Sequence, residues 1–137
     1  MSTPRGIRNN NPLNIRHNKD FFQGEVLGGT DKSFKQFVSA AYGYRAAFVT
    51  LGTYLQRGRN TIDKIIRAWA PPTENNTESY IANVEKRSGV GRFKVLTACS
   101  GSDYRKIVAA MCHCENGQPA NLADLEMGFR LQHKIKD

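Results

Sequence analysis

Glu115 stands at the end of a run of residues spaced for one face of a helix. Tyr104, Ile107, Val108, Met111 and Glu115 recur at intervals of three and four, and Gly117 follows where a helix would stop. The spacing predicts a carboxylate carried on the buried face. A carboxyl group pressed against apolar neighbours loses hydration and can hold its proton near neutral pH. Protonating the leaving oxygen of a glycosidic bond needs such a donor. The plainer reading is a helix-end glutamate turned to solvent, and only the surroundings decide between the two.

Glycosidic cleavage usually enlists a second carboxylate, whose separation from the first sets the stereochemical outcome. Asp20, Glu25 and Asp31 lie in the first third of the chain and are the candidates, with Glu25 and Asp31 put forward beside Glu115 as catalytic residues. Each is also an ordinary turn acid. Glu74, in a proline-bounded turn, suits a base or a sugar ligand better than a proton donor. Asn11, Asn14 and Asn75 offer amides to sugar hydroxyl and acetamido groups, although asparagines equally hold turns and cap helices. Tyr80 and Trp69 offer ring faces, but Trp69 shares the spacing of Ile62, Ile65 and Ile66 and reads as core at that position. His17, His113 and His133 are scattered, with no Gly-x-Ser-x-Gly or cysteine-loop context around them. Cys112, His113 and Cys114 fan out around a helix, so neither a disulfide nor a metal site is expected, and no cofactor is implied.

These residues need elements to position them. The first third is rich in asparagine and glycine: a turn at Asn9–Pro12, an extended Leu13–Arg16, a turn at Gly28–Asp31, then Phe34–Val38. That pattern predicts a small antiparallel β element. From Ser39 the periodicity becomes helical. Tyr44, Ala47, Phe48, Leu51, Tyr54 and Leu55 form one stripe, closed by Arg57-Gly58. Asn60 is placed to cap a short helix that Pro71-Pro72 stops. Asn75, with Glu78 three residues on, resembles a capping box for a helix ending near Gly89. Gly101 or Ser102 opens the helix that leads to Glu115, and Asn121 caps a last one carrying Leu122, Leu125 and Phe129. The expectation is one domain over 1–137, mostly helical and of the α+β class.

With 137 residues, 39% hydrophobic and 23% charged, the chain has the composition of an ordinary globule able to bury a core. No apolar run is long enough to span a bilayer, so membrane insertion is not expected. The first residues, Met1-Ser2-Thr3-Pro4-Arg5-Gly6, lack the apolar core of a signal peptide, which points to synthesis without Sec export. Twenty Lys and Arg against twelve Asp and Glu give a net charge of +8. Such a field favours polyanions: nucleic acid, anionic lipid or the anionic bacterial wall. The cations are dispersed and not interleaved with aromatic residues, so nucleic acid is the least favoured partner.

Two stretches carry a resemblance. They are Arg5-Gly-Ile-Arg-Asn-Asn-Asn-Pro-Leu-Asn-Ile-Arg16 and Trp69-Ala-Pro-Pro-Thr-Glu-Asn-Asn-Thr-Glu-Ser-Tyr80, supported by Phe34-Lys-Gln-Phe37 and Gly43-Tyr-Arg-Ala46. Together they resemble small phage virion and phage-like structural proteins associated with peptidoglycan degradation and the lysozyme-like fold, well over residues 5–90 and loosely beyond. The pieces are also similar to those of glucosaminidases and lytic transglycosylases, in a permuted order. The Asn-rich strand comes first, the aromatic turn second, and the helix ending Glu-Asn-Gly last. Circular permutation is compatible with domain termini that lie exposed and close together.

The resemblance implies a lysozyme-like domain that cuts the glycan strand of peptidoglycan as a muramidase or lytic transglycosylase, with Glu115 as acid. It places the partner carboxylate in the β region, with Thr30-Asp31 where glucosaminidases carry a Thr-x-Glu. A transglycosylase manages with one carboxylate, because the N-acetyl group of its substrate assists. The implied partners are the glycan strand and proteins of a virion or injection apparatus, and the implied destination is the virion, the periplasm or the wall. The rival expectation is a catalytically inert structural or glycan-binding module.

Overall fold

Ser39 marks where the chain changes character. Its backbone is extended and its side chain accepts the Tyr42 N–H, which starts a helix of seventeen residues. In the computed structural model, which describes residues 3–73 and 75–137, six helices follow one another. They are α1 (Arg5–Arg8), α2 (Ala40–Gln56), α3 (Ile62–Trp69), α4 (Thr77–Ser88), α5 (Gly101–Asn116) and α6 (Leu122–Leu131).

The helical stripes read from sequence are the buried faces. Tyr44, Ala47, Phe48 and Leu51 of α2 meet Leu125 and Phe129 of α6, with the Phe48 and Phe129 rings edge-on at 5.2 Å. Ile62, Ile65 and Ile66 of α3, Ile81 and Val84 of α4, and Tyr104, Ile107, Val108 and Met111 of α5 complete the core. Gly128 lets α6 lie against α2, since a Cβ there would strike Tyr44 and the Ala41 carbonyl. Gly89 and Gly117, both left-handed, end α4 and α5.

Two caps differ from expectation. Thr61, not Asn60, caps α3 by accepting the Lys64 N–H. Asn76, not Asn75, caps α4 by accepting from Ser79. Glu78 makes no capping box because it is drawn to Arg67 and Arg92, which also hold Asp63. That network joins α3, α4 and the turn after α4.

The α+β, lysozyme-like architecture with an N-terminal β element does not form. Helices take about half of the chain, and among the described residues the only strand pairing is two isolated bridges, Arg16 with Phe34 and Glu25 with Phe37. The reason is chemical. Asn10 and Asn11 use side-chain amides where a sheet would use backbone: Asn10 donates to the Phe37 carbonyl, and Asn11 donates to those of Ile15 and Lys35 while accepting the Ile15 N–H. Asn10 and Asn14 sit at φ 53° and 54°, which breaks any extended run. Arg5–Arg8, preceding the turn, is a single helical turn. The result is a looped segment clasped by amides and packed on α2, where Gly43 leaves room for the Asn10 carbonyl and Pro12.

Candidate active-site cleft

The last turn of α5 is locked to the N-terminal segment. Asn116 donates to the Pro12 carbonyl at 2.8 Å and back to the Cys112 carbonyl at 3.0 Å. With Gly117 ending the helix next door, the side chain of Glu115 emerges against residues 12–15. Its two oxygens have separate partners. Asn14, turned inward by its left-handed backbone, donates to Oε1 at 2.9 Å. Tyr80, from the first turns of α4, donates to Oε2 at 2.9 Å. Burial, and then the adjacent Glu115, raise the Tyr80 phenol well above its ordinary range, so it remains a donor. The surroundings of Glu115 are therefore a half-buried polar socket and not the apolar wall that helix spacing alone suggests.

Glu115 opens onto a cleft of about 820 Å³. The N-terminal segment supplies Asn14, Arg16, Asn18 and Asp20 to its walls, and α2 supplies one face at helical spacing, Val49, Thr50, Thr53, Tyr54 and Arg57. Trp69, half-buried against both core clusters, contributes a ring, and Asn75 an exposed amide. The lining thus mixes aromatic surface, amides and hydroxyls with four charged side chains, Arg16, Asp20, Arg57 and Glu115.

The candidate residues separate clearly. Asn14, Asn75 and Glu115 line the cleft, while Tyr80 lies behind Glu115 as its donor and presents no stacking face there. Asn75 also donates to the Pro71 carbonyl at 3.2 Å. Asn11 is fully buried with its amide consumed by Ile15 and Lys35, so it serves the loop. Glu25 is paired with the buried ammonium of Lys35 at 3.0 Å. Asp31 accepts both arms of Arg5, the Asn9 amide and two backbone N–H groups, which hold its carboxyl far below the usual carboxylate range. Neither Glu25 nor Asp31 lines the cleft, but Asp20 does, exposed and joined to Glu115 by the same cavity. Glu74 lies outside the described residues. Among the described residues, no three His, Cys, Asp or Glu side chains gather as a metal site.

Sequence reasoning did not find the face of α2, nor Arg16 and Arg57. The outward stripe Thr50, Thr53, Arg57 is visible as spacing, yet nothing in its composition separates a cleft wall from a solvated one.

No family model matches the chain. Protein P5 of Pseudoalteromonas phage PM2 is 37% identical to it over 130 residues, spanning 91% of this chain and 79% of P5. The chain belongs to the family of this phage protein. The relationship supports the phage side of the resemblance seen in residues 5–16 and 69–80 and leaves the lysozyme-like side without support. In this member of the P5 family, no helix among the described residues is long and apolar enough to cross a membrane. Its cysteines are free, and burial pushes the thiols of Cys112 and Cys114 up, away from the reactive thiolate.

Proposed function

We propose that this P5-family chain cleaves the glycan strand of bacterial peptidoglycan, with Glu115 as the general acid and Asp20 as the second cleft carboxylate. The observation that carries the reading is Glu115 itself: a half-buried carboxyl group, oriented by Asn14 and Tyr80, facing a long cleft lined with amides, hydroxyls and an aromatic ring. That arrangement supports proton transfer to a glycosidic oxygen bound beside it. Asp20, free of ion pairs among the described residues, is available to activate water or to stabilise positive charge on the sugar. The phage relative supports the context, since a phage must pass the wall to enter or leave its host; a virion or injection component is the corresponding place of action.

The test is digestion of purified peptidoglycan by wild type and Glu115→Gln, with the products separated by mass. Wild type is expected to release soluble muropeptides, and the variant to lose activity by about 10²–10⁴-fold at unchanged helicity. Reducing-end products mark a hydrolase, anhydro-muramyl products a lytic transglycosylase. Wall binding with no fragment release by wild type over a pH series overturns the enzymatic reading and leaves a glycan-binding module.

A further inference from the structure

The charges of the cleft are arranged unevenly. Along the N-terminal segment, Glu25 is matched by Lys35 and Asp31 by Arg5, each at 3.0 Å or less. Arg16 and Arg57 are different. Both line the cleft, both are exposed, and among the described residues neither makes an ion pair. Arg16 is nevertheless held: its guanidinium lies 5.1 Å from the centroid of Phe34, while Arg5, secured by Asp31, lies 4.5 Å from the same ring. A cation–π contact of this kind fixes direction without neutralising charge. Arg57 is fixed at its root as the residue that ends α2, its N–H bonded back to the last-turn carbonyls. Two unneutralised guanidinium groups from different elements thus border one cleft, that of Arg16 held against Phe34 and that of Arg57 carried on the end of α2.

Sugar hydroxyl and acetamido oxygens accept hydrogen bonds from guanidinium groups but leave their charge unmatched. Carboxylates suit them, because the planar fork accepts two parallel hydrogen bonds. Resting on the peptidoglycan reading above, we propose that the cleft selects peptide-bearing glycan, with Arg16 and Arg57 receiving carboxylates of the stem peptide attached to the muramyl residue. The glycan strand then occupies the wall formed by Asn14, Trp69 and Asn75 near Glu115, and the peptide leaves the cleft beside the two arginines. The net charge of +8 adds long-range attraction to the wall, whereas Arg16 and Arg57 supply the local choice.

The test measures binding by calorimetry on the full chain carrying Glu115→Gln, so that turnover does not intervene. The probes are a muramyl disaccharide-peptide and the same compound with its stem carboxylates amidated. The free acid is expected to bind at least about tenfold more tightly. Arg16→Gln and Arg57→Gln, each added to that background, are expected to bring the two affinities together. Arg130→Gln, on the exposed face of α6 and outside the cleft lining, preserves the difference. Equal affinity for both probes in the parent chain overturns the proposal. So does a short single-stranded oligonucleotide that binds more tightly than the free acid and depends on the same arginines. The two readings fail separately. Charge-selective binding with no fragment release from walls by wild type removes cleavage and keeps selection. Equal digestion of intact and amidated walls keeps cleavage and removes selection.

Discussion

Asn14 donates its side-chain amide to Glu115 at 2.9 Å, across 101 positions of sequence. The bond exists because Asn14 has left-handed backbone and because Asn116, the neighbour of Glu115, grips the Pro12 carbonyl. One clasp therefore brings the end of α5 to the N-terminal segment and aims the carboxylate. Tyr80 fixes its other oxygen.

Removing either donor leaves Glu115 in the cleft but frees it to rotate. Hydrogen bonds to an uncharged carboxyl group contribute about 0.5–1.5 kcal/mol, which expressed in a barrier is roughly two- to tenfold in rate. Tyr80→Phe and Asn14→Gly, the latter chosen because glycine accepts φ 54° without strain, are each expected to lower wall digestion by that factor, Tyr80→Phe with little change in KM because Tyr80 lies outside the cleft lining. Digestion rates at saturating and limiting wall concentration check this. Full activity in both variants removes the positioning role.

The Lys35–Glu25 pair makes a sharper stability prediction. The Lys35 side chain is 1% exposed and that of Glu25 8%. Truncating one member strands the other charge in the interior, at a cost of about 3–5 kcal/mol, whereas replacing both with apolar residues is often neutral. Lys35→Met is expected to be severely destabilised in urea, and Lys35→Met/Glu25→Leu to recover most of the loss. A single variant as stable as wild type contradicts this account of the loop.

Much of the helical frame was legible in sequence, because it rests on periodicity. The stripes of α2 and α5 and the glycine stops at Gly89 and Gly117 are local patterns, and their packing agrees with them. The place of Glu115 at the end of α5 was legible for the same reason, but its polar partners Asn14 and Tyr80 were not. The N-terminal third was not. Its alternating apolar residues suggest strands, but Asn10 and Asn11 answer backbone carbonyls across 24 to 27 positions, and Asn9 meets the side chains of Gln36 and Asp31, pairings with no periodic signature. The position of Asp20 at the cleft was obscured by the same cause. Which of Asp20, Glu25 and Asp31 faces the cleft depends on where Lys35 and Arg5 end up, and only tertiary structure decides that.

Asp31 couples this loop to pH. Its carboxyl is held far below its ordinary value, first by the hydrogen bonds from Arg5, then by Asn9 and the N–H groups of Phe34 and Ser33. In the unfolded chain an aspartate titrates at about 3.9. The stabilisation is complete above that pH and is lost as the pH falls from there towards the depressed folded value, because the unfolded state takes up the proton first. Asp31→Asn is expected to lower Tm at pH 7 and to flatten its decline between about pH 4 and 2. Parallel Tm–pH curves for variant and wild type sink the assignment.

The alkaline side is governed by buried phenols. Tyr104 is fully buried, its hydroxyl has no partner among the described residues, and burial pushes its pKa up to about 12. Tyr44 and Tyr80 are raised further by burial and by their neighbours Cys112 and Glu115. Unfolded phenols ionise near about 10. Above that pH the unfolded state releases protons that the native state retains, so stability falls as pH rises. Tyr104→Phe tests the point directly. It removes a buried hydroxyl that gains no hydrogen bond in the fold, so Tm at pH 7 is expected to hold or rise. The decline of Tm between about pH 9.5 and 11 is expected to become shallower, since one phenol no longer contributes. A variant that melts several degrees lower at pH 7 removes the reading of the Tyr104 hydroxyl as unpartnered.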